Sequence, residues 1–139
     1  MTTITEIITE EQSRKIINAA VSYAEQIGVT ANIAVLDAGA HLKAFIRMDG
    51  AVLGSIDVAI GKARTAALFS ISSEAVWDYC KPGAPAHNLE ASNGGLMPFA
   101  GGLPIFNTTG VMIGAIGVSG GTVPQDLEIA EAALNALNN

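Results

Sequence analysis

Two histidines, two central cations and a few carboxylates are the side chains of this 139-residue chain best suited to chemistry. His41 and His87 are its only imidazoles. They are therefore the obvious nitrogen ligands for a metal, and the obvious proton carriers near neutral pH. His41 directly follows an expected turn. His87 lies in a loop-like stretch beside Pro85, Asn88 and Glu90, where it is freer to face a pocket. Neither sits in an HExxH or CxxC pattern, so no standard zinc site is indicated, and a solvated loop histidine is the plain alternative for both.

Arg47 shares a strand face with Lys43 and Phe45, and Asp49 follows it by two residues. A guanidinium offers a bidentate fork to a ligand carboxylate, although a local ion pair with Asp49 is the simpler use of the same residues. Lys62 projects from an alanine-rich stretch and shares a helical face with Thr65 and Phe69. Half buried, its ammonium would need an anion. With a lowered pKa it would move protons together with His87, Asp49 or Glu90. A surface lysine lying along its own stem is the alternative. Gly101 and Gly102 let a ligand or a subunit approach the backbone. Ser119, Gly120 and Gly121 present N–H groups just before a helix start, a seat for a carboxylate, and tight strand packing accounts for the same glycines equally well. The tract from Gly114 to Gly121 contains neither GxGxxG nor a P-loop lysine, which excludes a standard nucleotide triphosphatase.

The elements that must hold these residues are readable from pattern. Thr9 and Gln12 form a capping box, and Ile16, Ile17, Ala20, Ala24 and Ile27 recur at helical spacing until Gly28 stops the run. Residues 31–37 and 41–47 read as strands joined through Ala38-Gly39-Ala40, with Gly39 taking the left-handed turn position. Both faces of the first are apolar, so the sheet needs cover on both sides. Ser55 is expected to cap a helix over 56–69, and Ser73 starts a shorter one that carries Glu74, Val76, Trp77 and Tyr79 and stops at Pro82. Residues 81–102 are rich in glycine and proline, a long loop of the kind that carries function. A second hairpin over 103–106 and 111–118 follows, then a last helix with Pro124 near its first position and Ile129, Ala133 and Leu137 on its buried stripe. The order α-β-β-α-α-β-β-α describes one α/β (α+β) domain over 1–139, an antiparallel sheet with helices on both faces.

Composition narrows the function. A net charge of −6, with no Lys or Arg from Pro82 to Asn139, excludes nucleic acid as a natural partner. No leader pattern and no apolar run near ~18 residues is present, so neither membrane nor export is expected. The single Cys80 suits a reducing compartment, and the cytoplasm is the expected location. Cys80 itself reads as a small buried hydrophobe.

Several stretches taken together resemble a known family. They are Asp37-x-Gly39-x-x-Leu42, Arg47-Met48-Asp49-Gly50-Ala51, Ala59-x-x-Lys62-Ala63-Arg64-Thr65-Ala66, Gly101-Gly102-x-Pro104-Ile105 and Gly114-Ala115-Ile116-Gly117-Val118-Ser119-Gly120. In this order they resemble the GlcG/HbpS-like family, which includes the C-terminal domain of PduO-type adenosyltransferases. The resemblance implies a profilin-like fold whose antiparallel sheet has about five strands, the fifth near residues 96–100 or at an edge. It also implies a homo-oligomer, octamers being known in the family, and a small-molecule ligand, haem being bound or degraded by some members.

Three functional readings follow. The first is a small-ligand-binding protein for haem or a related tetrapyrrole, with His87 or His41 on the iron. In the second, a small catabolic enzyme acts on a carboxylated metabolite by tautomerisation, deamination or hydration. There Arg47 and Lys62 hold the substrate, helped by Gly101, Gly102, Ser119 and Gly120, while His87, Asp49 or Glu90 moves protons. The third is an accessory subunit with no pocket.

Overall fold

The strand Asn32–Asp37 (β1) is apolar on both faces, and the fold is the packing solution to that fact. A computed structural model describes residues 6–138; the domain expected over 1–139 therefore has residues 1–5 and 139 outside the described part. Helix α1 (Glu10–Gln26) precedes β1 and β2 (Leu42–Arg47). Helices α2 (Ser55–Phe69) and α3 (Ser73–Cys80) follow, then a 3-10 turn at Leu89–Ala91. Strands β3 (Gly102–Phe106) and β4 (Met112–Ser119) lead to α4 (Val123–Leu137). All neighbours in the sheet are antiparallel, in the order β2-β1-β4-β3.

Alternation along β1 assigns the layers. Ile33 and Val35, with Ile116 and Val118 of β4, pack against Ile16, Ala20 and Ala24 of α1 and Ile129 and Ala133 of α4. Ala34 and Leu36 face the other way, onto Ala59 and Ala63 of α2. Small side chains let α2 lie close to the sheet. A Cβ placed on Gly117 of β4 would stand 2.0 Å from Ala59 O and 2.6 Å from Ala63 N. Here glycine is required by the approach of two backbones.

Both ends of this arrangement are capped as local chemistry dictates. Thr9 and Gln12 close a capping box on α1, and Thr122 and Gln125 close another on α4, with Pro124 in its first turn. Gly28 takes φ 73 just beyond α1.

The structure corrects four expectations. The sheet has four strands among the described residues, one fewer than the resemblance implies. Residues 96–100 cannot extend it, because Met97 N–H is held by Thr65 Oγ1, Phe99 O accepts from Ser73 and Pro98 has no N–H to offer a ladder. Ala40, at φ 65, takes the left-handed position expected of Gly39. Asp37 Oδ1 accepts from both Gly39 N (2.9 Å) and His41 N (3.0 Å), and this fixes the turn so that the Ala40 methyl packs inward. Gly54 rather than Ser55 is the N-cap of α2, since Ser55 N already bonds Val52 O at 3.1 Å in the preceding turn. Arg47 and Asp49 are both exposed and form no ion pair with each other among the described residues. No described helix is long and apolar enough to cross a membrane.

The close seating of α2 on β4 predicts the behaviour of one variant. Gly117→Ala should lower the unfolding free energy by about 3 kcal/mol or more, read from urea melts. An unchanged midpoint would mean that α2 does not rest on this strand.

Candidate functional site

Lys62 is the fifteen-residue helix α2's one buried cation, 1% exposed and surrounded by protein. Its Nζ donates to Val118 O at 2.9 Å and to Asp126 Oδ2 at 2.8 Å. Asp126, in the first turn of α4, spends its other oxygen on Gly121 N–H at 2.9 Å. Burial pulls the Lys62 amine below its ordinary value and lifts the Asp126 carboxyl above its own, and each is partly restored by the other's hydrogen bond and charge. The carboxylate seat expected at Ser119–Gly121 therefore exists, and the chain fills it with its own Asp126. The ammonium is closed off from solvent, and its counter-ion is internal.

The expected glycines serve this pair. A Cβ on Gly102 would meet Lys62 O at 2.3 Å, and one on Gly101 (φ 125) would meet Val118 O at 2.6 Å and Lys62 Nζ at 2.9 Å. A Cβ on Gly120 would meet Thr30 O at 2.6 Å. At all three positions the nearest neighbour is the protein itself. Ser119 is buried at the end of β4, opposite Asn32 of β1.

The segment 96–102 covers Lys62 and forms one wall of a groove. Thr65 Oγ1 ties Met97 N–H to α2 at 2.9 Å. Ser73 Oγ, at the start of α3, donates to Phe99 O at 2.6 Å and accepts from Gly102 N–H at 2.9 Å. The Phe99 ring lies over Lys62, with Nζ 5.2 Å from its centroid. On its other side Phe99 joins Pro98, Ala75, Trp77 and Val123 in an open groove of about 880 Å³. Trp77 is 43% and Phe99 39% exposed, so flat aromatic surface is available to a ligand. The polar part of the wall is acidic: Glu74 and Asp78 of α3, and Glu90 from the 3-10 turn. Glu90 Oε1 is buried without a hydrogen-bond partner among the described residues. Behind it, burial and then the Glu90 charge push the Cys80 thiol up, in keeping with the inert buried cysteine expected.

The candidate residues separate into three groups. Lys62 pairs with Asp126, Gly101 and Gly102 pack against Lys62, and Ser119 and Gly120 lie just ahead of the Gly121 amide that Asp126 accepts from. Glu90 belongs to the groove. His41, with its side chain 83% exposed and 3.5 Å from Asp37, and the exposed His87, Arg47 and Asp49 do not line it. Sequence reasoning missed Asp126, Trp77 and Phe99 as site residues. The signal for Asp126 was present: it is one of only four acids after Pro82, and it directly follows the amide seat.

Comparison with known proteins adds to this picture. The family described as "Haem degrading protein HbpS-like" matches residues 8–135. An uncharacterised 15.0 kDa protein encoded between dhaT and dhaS in Citrobacter freundii is 36% identical over 132 residues, 94% of this chain and 92% of that one. The crystal structure of Klebsiella pneumoniae protein ORFY superposes with a TM-score of 0.94 at 30% identity, covering 99% of this chain and 94% of its own. A PduOC–haem complex does so with a TM-score of 0.90 at 32% identity, covering 95% and 96%.

The internal ion pair has a thermodynamic signature. Lys62→Met or Asp126→Leu alone should cost about 3–5 kcal/mol, because each strands a buried charge. The double variant should recover most of that loss in urea melts. Losses that simply add would show that the two groups do not depend on each other.

Proposed function

The chain belongs to the HbpS-like family, and on that premise we propose that it binds haem or a related tetrapyrrole in the groove beside α3. The observation that carries this reading is the groove itself. Its volume of about 880 Å³ is within the ~300–1,000 Å³ usual for ligand sites, and its walls offer Trp77 and Phe99 as flat apolar faces. A macrocycle fits that description. Trp77, Phe99, Pro98 and Val123 would hold its body and keep water from its faces. The groups that the wall offers to a metal centre are the carboxylates of Glu74, Asp78 and Glu90, since neither histidine lines it. A bound haem would supply redox and dioxygen chemistry; the chain's own part is to bind and shield it.

Self-association belongs to the same proposal. Leu42 and Ile46 on edge strand β2, and Val52 and Leu53 just beyond it, are exposed apolar side chains that a second copy would cover. The unpaired Cys80 supports the cytoplasm as the compartment.

Trp77 is the only tryptophan, so intrinsic fluorescence reports on the groove alone. Hemin should quench it saturably while a Soret band grows in step. Trp77→Ala should weaken the Soret titration by about tenfold. Undiminished hemin binding in that variant would place the ligand elsewhere. Native mass spectrometry of the freshly isolated protein should show a homo-oligomer, and a monomer at micromolar concentration would sink the self-association.

A further inference from the structure

An ammonium carries three N–H donors, and the structure accounts for two of them on Lys62: Val118 O and Asp126 Oδ2. The third has no hydrogen-bond acceptor among the described residues. The Phe99 ring stands over it, 5.2 Å from Nζ to centroid. That same ring is a wall of the groove and is 39% exposed. One aromatic ring therefore separates the buried cation from the ligand space. The ring is partly exposed and has no polar anchor of its own. Ser73 holds Phe99 through its backbone carbonyl, so rotation of the side chain uncovers Nζ without breaking that bond.

We propose that Phe99 is a gate and that Lys62 Nζ behind it is an inner subsite of the groove, accepting a carboxylate at the edge of a flat apolar ligand. The inference rests on the groove being the ligand site, and it adds the ligand's orientation. Electrostatics give that orientation a reason. Glu74, Asp78 and Glu90 repel an anionic edge from the rest of the wall, and Lys81, which does not line the groove, is paired with Asp78 at 3.7 Å. An acidic ligand edge is stabilised only where the third donor of Lys62 waits. The incoming oxygen completes the ammonium's hydrogen bonding and leaves the bonds to Asp126 and Val118 in place. Phe99 meanwhile trades its cation contact for contact with the ligand body.

Calorimetric titration with 2-naphthoate and with neutral 2-naphthalenemethanol, beside hemin, tests the subsite. The native protein should favour the acid over the alcohol by about tenfold. Phe99→Ala should weaken the alcohol, which loses an aromatic wall, and weaken the acid much less, so that the acid-over-alcohol ratio rises severalfold. In Lys62→Met/Asp126→Leu the preference should reverse, because only the carboxylates remain. Equal binding of acid and alcohol, an equal loss of both in Phe99→Ala, or a preference that survives without Lys62 overturns the subsite. Should the double variant not fold, Phe99→Ala decides alone. Hemin quenching of Trp77 without acid preference would overturn the subsite and leave the tetrapyrrole reading standing. A Lys62-dependent acid preference without hemin binding would do the opposite, and silence from all three ligands overturns both.

Discussion

A primary ammonium cannot be left alone in an apolar interior, and the centre of this protein is arranged around one. Lys62 draws an acceptor from β4, a carboxylate from α4 and a ring from the segment ahead of β3. Otherwise β4 meets α4 through apolar packing of Ile116 and Val118 near Ile129 and Ala133, and meets that segment through one backbone bond, Val118 N–H to Gly101 O at 2.9 Å. A buried pair of this kind contributes little net stability compared with a well-packed apolar substitute, because desolvation consumes most of the attraction. It contributes direction instead. Apolar layers can slide over one another, whereas a 2.8 Å ion pair with a third bond to Gly121 N–H permits one seating of α4 against the sheet.

The architecture was largely legible in the sequence, for physical reasons that are easy to name. Periodicity in α1, two-faced apolarity in β1 and β4, and the Thr9 and Gly28 signals are local properties, and each is found where local rules put it. The chemistry of the centre was legible in parts. A lysine in an alanine-rich helix and a donor-rich tract before α4 do face one carboxylate. At the amide seat the first turn of α4 supplies that carboxylate from within the chain. An acid in the first turn of a helix is ordinarily accounted for by the helix dipole at the surface, so Asp126 carries no local sign of its burial. The groove was invisible for a different reason. Trp77, Phe99 and Val123 lie on three separate segments: the bonds of Ser73 and Thr65 hold the Phe99 segment, and the Lys62–Asp126 pair seats the start of α4 that carries Val123.

The glycines show why a motif and a site are different things. Gly101, Gly102, Gly117 and Gly120 make up much of what resembles the family, and in the structure each marks a place where two backbones, or a backbone and Lys62, come too close for a methyl group. They belong to the chassis. The surfaces open to a ligand are furnished instead by side chains from outside those stretches, chiefly Trp77, Glu74 and Asp78. Proteins that share the scaffold can therefore differ in what they hold, and the scaffold by itself does not decide the matter.

The separation of 64 positions from Lys62 to Asp126 carries a consequence for biosynthesis. As the chain leaves the ribosome, α2 is complete while its counter-ion, and the strand that β1 needs as its second neighbour, are still unmade. The N-terminal half has an unmatched positive charge to bury and a half-built sheet to bury it in. Docking of α2 must then wait for the last helix, so the nascent polypeptide spends much of its synthesis without a stable native subset, as long-range pairing generally imposes. Chains that terminate early should be recognised by quality control as unfolded rather than persist as smaller versions of the protein.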